Sequence, residues 1–145
     1  MELQIKTFGE LSGREVYEIL KARSAVFMME QRIYYLDMDD TDYDSLHLFY
    51  EEGGKVTAYL RAYRVERDGD AVHMGRVLTM DHGKGLGGRF LTAAIDALRT
   101  RTGCQFIRLD AQVPVMGFYE KYGFRVTSGE FLEAGIPHVK MELEL

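Results

Sequence analysis

The sequence predicts an α/β fold: a mixed, mostly antiparallel sheet of about seven strands with helices on both faces. Short alternating runs bounded by turn residues indicate most of the strands. Two longer segments repeat apolar residues at helical spacing. A strand–helix–strand order over residues 72–110 implies one parallel pair with a right-handed crossover. The chain has 145 residues, of which 46% are hydrophobic, so we expect one domain, residues 1–145, with its own core.

The first half of the chain is predicted to form a strand, a helix and a three-stranded meander. The helix, residues 12–30, begins at a capping box made by Ser12 and Glu15. Arg23 interrupts the apolar face of this helix, so we expect it to have an acidic or carbonyl partner. The strands are predicted at residues 3–8, 45–51, 55–66 and 71–80, and the turn "EGGK" joins the second strand to the third.

The second half is predicted to begin with a glycine-rich loop and a second helix, residues 88–103. The buried stripe of this helix runs from Phe90 to Leu98. The remaining elements are a strand at 104–111, a short helix at 113–123 and two closing strands at 124–129 and 138–145. Because the last strand alternates cleanly, it could pair with a second copy of the chain in a homodimer if it lies at a sheet edge.

Composition and charge exclude several classes of protein. A net charge of -5 and a pI of about 5.4 argue against nucleic-acid binding, which usually requires a basic face. Cys104 is the one cysteine, so no intrachain disulfide can form and a reducing cytoplasm is the expected compartment. We expect no membrane segment, because no apolar run approaches the roughly 18 residues that span a bilayer. The four histidines lack metal-binding spacing, so we expect no metal.

Residues 82–89 read "HGKGLGGR" and lie between a strand and a helix. The first amides of a helix are unsatisfied and carry the positive end of its dipole, so glycines there favour a backbone cradle for phosphate. Gly83, Gly85 and Gly88 also satisfy G-x-G-x-x-G, with Asp110 at the position of a ribose-binding acid. A dinucleotide-binding fold needs further strand–helix–strand units, and the meander before the loop does not supply them.

This loop, together with "LDAQ" and "GFYEKYGF", resembles the GNAT superfamily of N-acetyltransferases. In that family the acetyl-CoA loop follows the fourth strand as [QR]-x-x-G-x-[GA], which residues 82–87 match at both glycine positions, Gly85 and Gly87. The predicted element order also agrees, so the resemblance spans essentially the whole chain. It implies that the fourth strand and the loop bind acetyl-CoA. The residues assigned to the coenzyme are Val77, Leu78, Thr79, His82, Gly83, Lys84, Gly85, Leu86, Gly87, Gly88, Arg89 and Tyr119.

Within the superfamily, the segments "VFMMEQRIYYLDMDDTDYDSLHL", "GRV" and "GIPHVKM" resemble the small ElaA-like branch. Two positions depart from the family pattern. His82 stands where arginine or glutamine is usual, which weakens one side-chain contact to phosphate. Ile33 replaces a cysteine often found in that branch, which removes any thiol role there. Lys84 and Arg89 would add positive charge at the loop, although Arg89 is equally consistent with a solvated helix residue.

The resemblance implies direct transfer of an acetyl group from acetyl-CoA to an amine, without a covalent enzyme intermediate. Tyr119 matches the family's general acid, because a phenol stays neutral at pH 7 and can protonate a leaving thiolate; simple packing is its alternative role. Tyr122 is interpreted as structural. Glu30, His47 and Asp110 are candidate general bases. Each also has an ordinary structural interpretation, and a water relay could replace all three.

The loop "LDMDDTDYDS" holds five aspartates and no basic residue. It would attract a cationic acceptor amine, or it is simply a solvated acidic loop. Two other functions stay open at this point. A non-catalytic acyl-CoA sensor would bind without turnover, and a nicotinamide-dependent enzyme is disfavoured by the element order. The sequence does not identify the acceptor amine.

Overall fold

The computed structural model describes residues 1–80 and 85–145. The strands are β1 (Gln4–Thr7), β2 (Leu46–Glu52), β3 (Lys55–Arg64), β4 (Ala71–Thr79), β5 (Phe106–Gln112), β6 (Arg125–Val126), β7 (Phe131–Glu133) and β8 (Ile136–Glu144). The α-helices are α1 (Gly13–Arg23), α2 (Leu86–Thr102) and α3 (Met116–Lys121). In this part of the chain, no helix is long and apolar enough to cross a membrane.

The strands form a mixed sheet in the order β1-β2-β3-β4-β5-β8-β6, with β7 also paired to β8. Among the described strands, β4 and β5 form the one parallel pair, and every other pair is antiparallel. The predicted α/β fold with a mixed, mostly antiparallel sheet is therefore confirmed. The single parallel pair also explains why the G-x-G-x-x-G pattern does not produce a dinucleotide-binding fold, which needs a parallel sheet.

Helices pack on both faces of the sheet because the side chains of β2 and β3 alternate in direction. Leu48 and Leu60 face one way and join α2 in the larger core. Phe49 and Tyr59 face the other way and join α1 in a second core. All four side chains are fully buried. Helices therefore cover the central strands on both faces of the sheet.

Two local signals in the sequence are confirmed by the geometry. The amide of Glu15 donates to Ser12 Oγ at 3.1 Å, and the amide of Ser12 donates to Glu15 Oε1 at 2.8 Å, which completes the capping box. Gly53 and Gly54 both have positive φ, as a two-residue turn between antiparallel strands requires. These signals fix the start of α1 and the register of the β2–β3 hairpin.

The first helix changes its winding at Ser24. The sequence predicts one helix over residues 12–30, but α1 ends at Arg23 and a π-helical segment, Ser24–Glu30, follows. At its end the Gln31 amide donates to the Val26 carbonyl five residues back, at 2.9 Å. Wider π turns are often found at functional sites. Here the segment brings Gln31 to β5, where Gln112 Nε2 donates to Gln31 Oε1 at 3.1 Å.

The structure contains an eighth strand, β7, that the sequence analysis missed. β7 and β8 form a hairpin whose two turn residues, Ala134 and Gly135, both have positive φ. The pair lacks the Asn-Gly or Asp-Gly signature of such turns, which explains the omission. β8 is paired with β5 on one side and with β6 and β7 on the other. The last strand is therefore not an edge strand, so the condition set for pairing it with a second copy of the chain is not met.

Candidate active site

The main opening in the sheet lies between β4 and β5. Only Ala71–His73 of β4 pairs with Phe106–Arg108 of β5, and beyond these residues the two strands diverge. Their remaining residues, 74–79 and 109–112, line a cleft of about 1170 Å³. Backbone amides and carbonyls along both sides lack a strand partner across the gap, so they are available to a ligand rich in amides. We call this opening the β4–β5 cleft.

A bulge in β4 turns one side chain into the cleft. The pairing of β3 with β4 shifts register between Tyr59 and Arg61, so β4 carries one extra residue there. Arg76 lies in this extra segment with a φ of 52°, an unusual value for a residue with a side chain. Bulges re-aim side chains beside active sites. This bulge directs Arg76 to Asp37, with Nε 2.8 Å from Oδ1.

The described part of the glycine-rich loop begins at Gly85, which caps α2 in the left-handed conformation with a φ of 73°. A Cβ added to Gly87 would lie 3.6 Å from the Phe118 ring, and one added to Gly88 would collide with the Tyr122 hydroxyl. The first turn of α2 therefore packs closely against α3 and Tyr122, and the structural role of Tyr122 stays a prediction.

Most of the predicted coenzyme residues that the structure describes share the β4–β5 cleft. The cleft is lined by Val77, Leu78, Thr79, Gly85, Leu86, Gly87, Gly88 and Tyr119. Arg89 is exposed on the first turn of α2 and does not line the cleft. His82, Gly83 and Lys84 lie outside the described residues, so their assignment to the coenzyme stays a prediction from the sequence.

Tyr119 projects from α3 into the cleft. Its side chain is buried, and its ring packs edge-on against Phe118 and Phe124, with ring centroids 5.3 and 5.6 Å away. Burial raises the pKa of the Tyr119 phenol above its ordinary value of about 10. Its hydroxyl has no hydrogen-bond partner among the described residues, so a fixed, neutral O–H donor is available to a group in the cleft.

His47 lies elsewhere and has a structural environment. It is buried on β2, where Nδ1 lies 2.7 Å from the Tyr59 hydroxyl and Nε2 lies 2.8 Å from the Asp42 carbonyl. A carbonyl accepts only, so Nε2 carries the proton and Nδ1 accepts from Tyr59. Burial lowers the pKa of His47. Both ring nitrogens are occupied, and the residue does not line the β4–β5 cleft, which argues against a role as base.

The other two candidate bases differ in position. Glu30 is exposed at the end of the π-helical segment and does not line the cleft. Asp110 does line it, from β5, and its Oδ1 lies 3.3 Å from Lys140 Nζ. Among the three candidates, the structure thus brings only Asp110 into the same cleft as Tyr119.

Two further ionisable residues of the cleft, Glu133 and His138, were not selected from the sequence. Both line the cleft near Asp110, and Glu133 Oε2 lies 3.4 Å from His138 Nε2. Burial raises the pKa of Glu133, and the neighbouring charge of Asp110 raises it further. The available signal was the polar face of the last strand, on which His138 and Lys140 alternate with apolar residues. Its significance depends on the β7–β8 hairpin, which was also missed.

The acidic loop closes one wall of the cleft through a network of ion pairs. Arg23 donates to Asp37 and Asp42, with distances of 2.8 and 2.7 Å. Arg61 donates to Asp39 and Asp42 at 2.7 and 3.1 Å. The acidic partner expected for Arg23 is therefore present.

The network changes the interpretation of the loop. Three of its five aspartates are paired with arginines of α1, β3 and β4. These three aspartates are therefore neither simply solvated nor free to attract a cationic amine. Their function is to fix the loop, because buried guanidinium groups require paired carboxylates.

This network predicts a loss of stability in acid. Hydrogen bonds from Arg61 lower the pKa of Asp39. Burial alone would raise the pKa of Asp42, but hydrogen bonds from Arg23 and Arg61 outweigh it and lower that pKa too. Carboxyls with depressed pKa values stabilise the fold above the unfolded value of about 3.9 and lose this contribution as pH falls below it.

We therefore expect the free energy of unfolding to stay nearly constant between about pH 5 and 8 and to fall steeply below about pH 4. Urea unfolding at a series of pH values measures this. Asp39→Asn should make the acid slope shallower, whereas Asp44→Asn, at an exposed position of the same loop, should not. Equal acid slopes in the two variants would contradict the assignment to this network.

Within residues 1–80 and 85–145, no group of three or more histidine, cysteine, aspartate or glutamate residues is placed to hold a metal ion.

Comparison with known proteins adds independent information. Residues 10–145 match the family model of the acetyltransferase (GNAT) domain. A UPF0039 protein of Schizosaccharomyces pombe is 31% identical, over 100% of this chain and 98% of that protein. ElaA of Escherichia coli is 29% identical over 100% of this chain and 97% of that protein, and its crystal structure gives a TM-score of 0.90 with 99% of both chains covered.

A crystal structure of an acyl-CoA N-acyltransferase from Pseudomonas aeruginosa also gives a TM-score of 0.90, at 30% identity and with 99% of each chain covered. Sheet order, diverging strands and relatives of matching length thus agree with the resemblance seen in the sequence. The chain belongs to the GNAT acetyltransferase family and is an acyltransferase, with ElaA among its homologues.

Proposed function

We propose that this protein transfers an acetyl group from acetyl-CoA directly to an amine. The observation that carries the proposal is the divergence of β4 and β5 beside the first turn of α2, with Tyr119 in the same cleft. Unpaired backbone groups along residues 74–79 suit the amides of a pantetheine arm. The helix start suits its phosphates, because unsatisfied amides there point outward.

Tyr119 supplies the acid in this proposal. Formation of the N–C bond expels a thiolate, which needs a proton or a hydrogen bond to leave. A neutral phenol held in a largely buried site provides one without moving. Acetyl-CoA supplies the activated acyl group when bound. The chain positions this group, excludes water from it and donates the proton.

Calorimetric titration with acetyl-CoA, CoA and NADH tests the ligand class. We expect binding of the first two and no heat of binding with NADH. Turnover is then measured as the release of free thiol in the presence of amines. Binding without turnover of any amine would favour an acyl-CoA sensor. Preferential binding of NADH would contradict the proposal and restore the dinucleotide interpretation of the glycine loop.

Gly87 offers a matched pair of variants for the phosphate cradle. A Cβ at Gly87 would meet Phe118 and Thr79, which also line the cleft, at ordinary contact distances, and the backbone there is one that a residue with a side chain can adopt. Gly87→Glu and Gly87→Gln add nearly the same volume and differ in one negative charge. We expect Gly87→Glu to weaken CoA binding at least about tenfold more than Gly87→Gln, since one such charge contact is worth roughly 1.5–3 kcal/mol.

The measurement is the Kd of each variant at two salt concentrations. The difference between Gly87→Glu and Gly87→Gln should shrink in high salt, because salt screens charge repulsion. Equal affinities of the two variants at low salt would show that no phosphate lies near this turn.

A further inference from the structure

α1 packs on one face of the sheet. On the part of this face formed by β5, β7 and β8, polar side chains line the β4–β5 cleft. α1 and the π-helical segment bury Phe49, Tyr59 and Leu78 in the second core, and no residue of β5, β7 or β8 takes part in that core. The alternation of these three strands instead directs polar groups to this face, because register partners point the same way. The group comprises Asp110, Gln112, Glu133, His138 and Lys140. The bond from Gln112 to Gln31 confirms that this is the face of the helical segment.

His138 is held in one tautomer with a free lone pair in the cleft. Only 7% of the residue is exposed, and its Nδ1 lies 2.7 Å from the Ile136 carbonyl. The carbonyl accepts, so Nδ1 bears the hydrogen. Nε2 then carries a lone pair in the neutral ring. It makes no hydrogen bond within residues 1–80 and 85–145, and Glu133 Oε2 lies 3.4 Å from it.

Glu133 and neutral His138 are two acceptors facing each other, and a proton between them would satisfy both. Asp110 of β5 and Lys140 of β8 are the other charged groups that act on Glu133. Beyond the effect of burial, Asp110 raises the pKa of Glu133 through its like charge and a side-chain hydrogen bond, and Lys140 opposes this with a positive charge. The contact of Lys140 Nζ with Asp110 Oδ1, at 3.3 Å, shows that an alkylammonium group fits beside the Asp110 carboxylate.

Apolar side chains of the segment that follows α1 also line the cleft. Met28, Tyr35 and Leu36 line it and are 41%, 67% and 77% exposed. Exposed side chains of this size at a cleft are unusual in a surface that binds nothing. They would cover the apolar body of a substrate whose charged end lies at the carboxylates.

We propose that Glu133, assisted by His138, accepts the proton of the acceptor amine, and that the acceptor is a primary aliphatic amine with an apolar or aromatic body. This inference rests on the acyl transfer proposed above. The ammonium group loses one proton to the Glu133 carboxylate, where it is shared with His138 Nε2. The nitrogen lone pair then forms the N–C bond to the thioester carbon, and the C–S bond breaks with its electron pair on sulfur.

Tyr119 donates its proton to the thiolate, and the second proton on nitrogen passes through solvent to restore the phenol. Glu133 then releases its proton to water. The products are an amide, a free thiol and one proton, so no oxidant or further reactant is needed.

Benzylamine and aniline test this assignment, because they differ by one methylene but only benzylamine is protonated at pH 7. We expect Glu133→Gln to lower kcat/KM for benzylamine by at least about 10²-fold. Aniline needs no deprotonation before attack, so its kcat/KM should fall by less than about threefold. Glu133→Asp keeps a carboxylate and should restore part of the benzylamine activity. Glu130→Gln, at an exposed position before β7, should leave both substrates unaffected.

The outcomes separate the two proposals. A selective loss with benzylamine supports the role of Glu133. Equal losses for both amines, or no loss, would overturn that role while leaving acyl transfer intact. If the unchanged chain binds acetyl-CoA but acetylates neither amine, the substrate class is wrong. If it does not bind acetyl-CoA, the proposed function fails as well. Matching unfolding temperatures of the variants exclude misfolding as the cause.

Discussion

Replacing Asp42 by asparagine is expected to lower the free energy of unfolding by about 3–5 kcal/mol. Asp42 accepts from Arg23 and from Arg61, whose residues are only 1% and 4% exposed. Asparagine keeps the shape of the side chain and removes its charge, so two buried guanidinium groups would lose a shared counter-ion. The effect is large because Arg23, Arg61 and Arg76 would then share only Asp37 and Asp39, which leaves one positive charge of the network uncompensated.

Urea unfolding of Asp42→Asn and Asp44→Asn measures this effect against a matched control. Asp44 is exposed in the same loop and makes no ion pair within the described part of the chain. Its replacement should change stability by less than about 0.5 kcal/mol. Similar losses in the two variants would mean that the ion pairs contribute no more than an ordinary surface charge.

Tyr119→Phe is expected to reduce kcat by about 10²- to 10⁴-fold, provided that the proposed acyl transfer is correct. The variant removes only a hydroxyl, and the ring contacts with Phe118 and Phe124 that position it are kept. The KM for acetyl-CoA should change little, because an interaction formed mainly in the transition state affects kcat. Steady-state kinetics with benzylamine provides both constants.

Tyr122→Phe is the control for this experiment. Its hydroxyl lies against Gly88 in the contact between α2 and α3, and we expect kcat to change by less than about threefold. If Tyr119→Phe retained full kcat while Tyr122→Phe lost it, the general acid would have been assigned to the wrong tyrosine of the same helix region.

Local patterns in the sequence were sufficient for most of the fold. The capping box at Ser12, the glycine turn at Gly53 and the apolar stripe of α2 each depend on neighbours within a few residues. Such signals specify elements and short connections. The order of these elements then leaves few possible sheet topologies, which is why the mixed sheet was predicted correctly.

The features that were missed depend on contacts between distant segments. Arg23 clearly needed a partner, but its pairing with Asp37 and Asp42 arises only when the loop folds over α1. His47 and His138 are both histidines in strands, and only tertiary contacts distinguish the saturated ring from the one with a free nitrogen. The bulge at Arg76 likewise has no local signal, since arginine does not favour positive φ.

The divergence of β4 and β5 divides the sheet into two antiparallel blocks joined by a short seam. The seam, Ala71–His73 with Phe106–Arg108, is the only direct strand pairing between the blocks among the described residues. Alternate amides beyond it, on residues 74–79, should exchange with deuterium quickly in the free protein. A ligand that pairs with these amides would act as an added strand. Binding should therefore slow the deuterium exchange of the β4 amides that face the β4–β5 cleft. This measurement locates the ligand without a crystal of the complex.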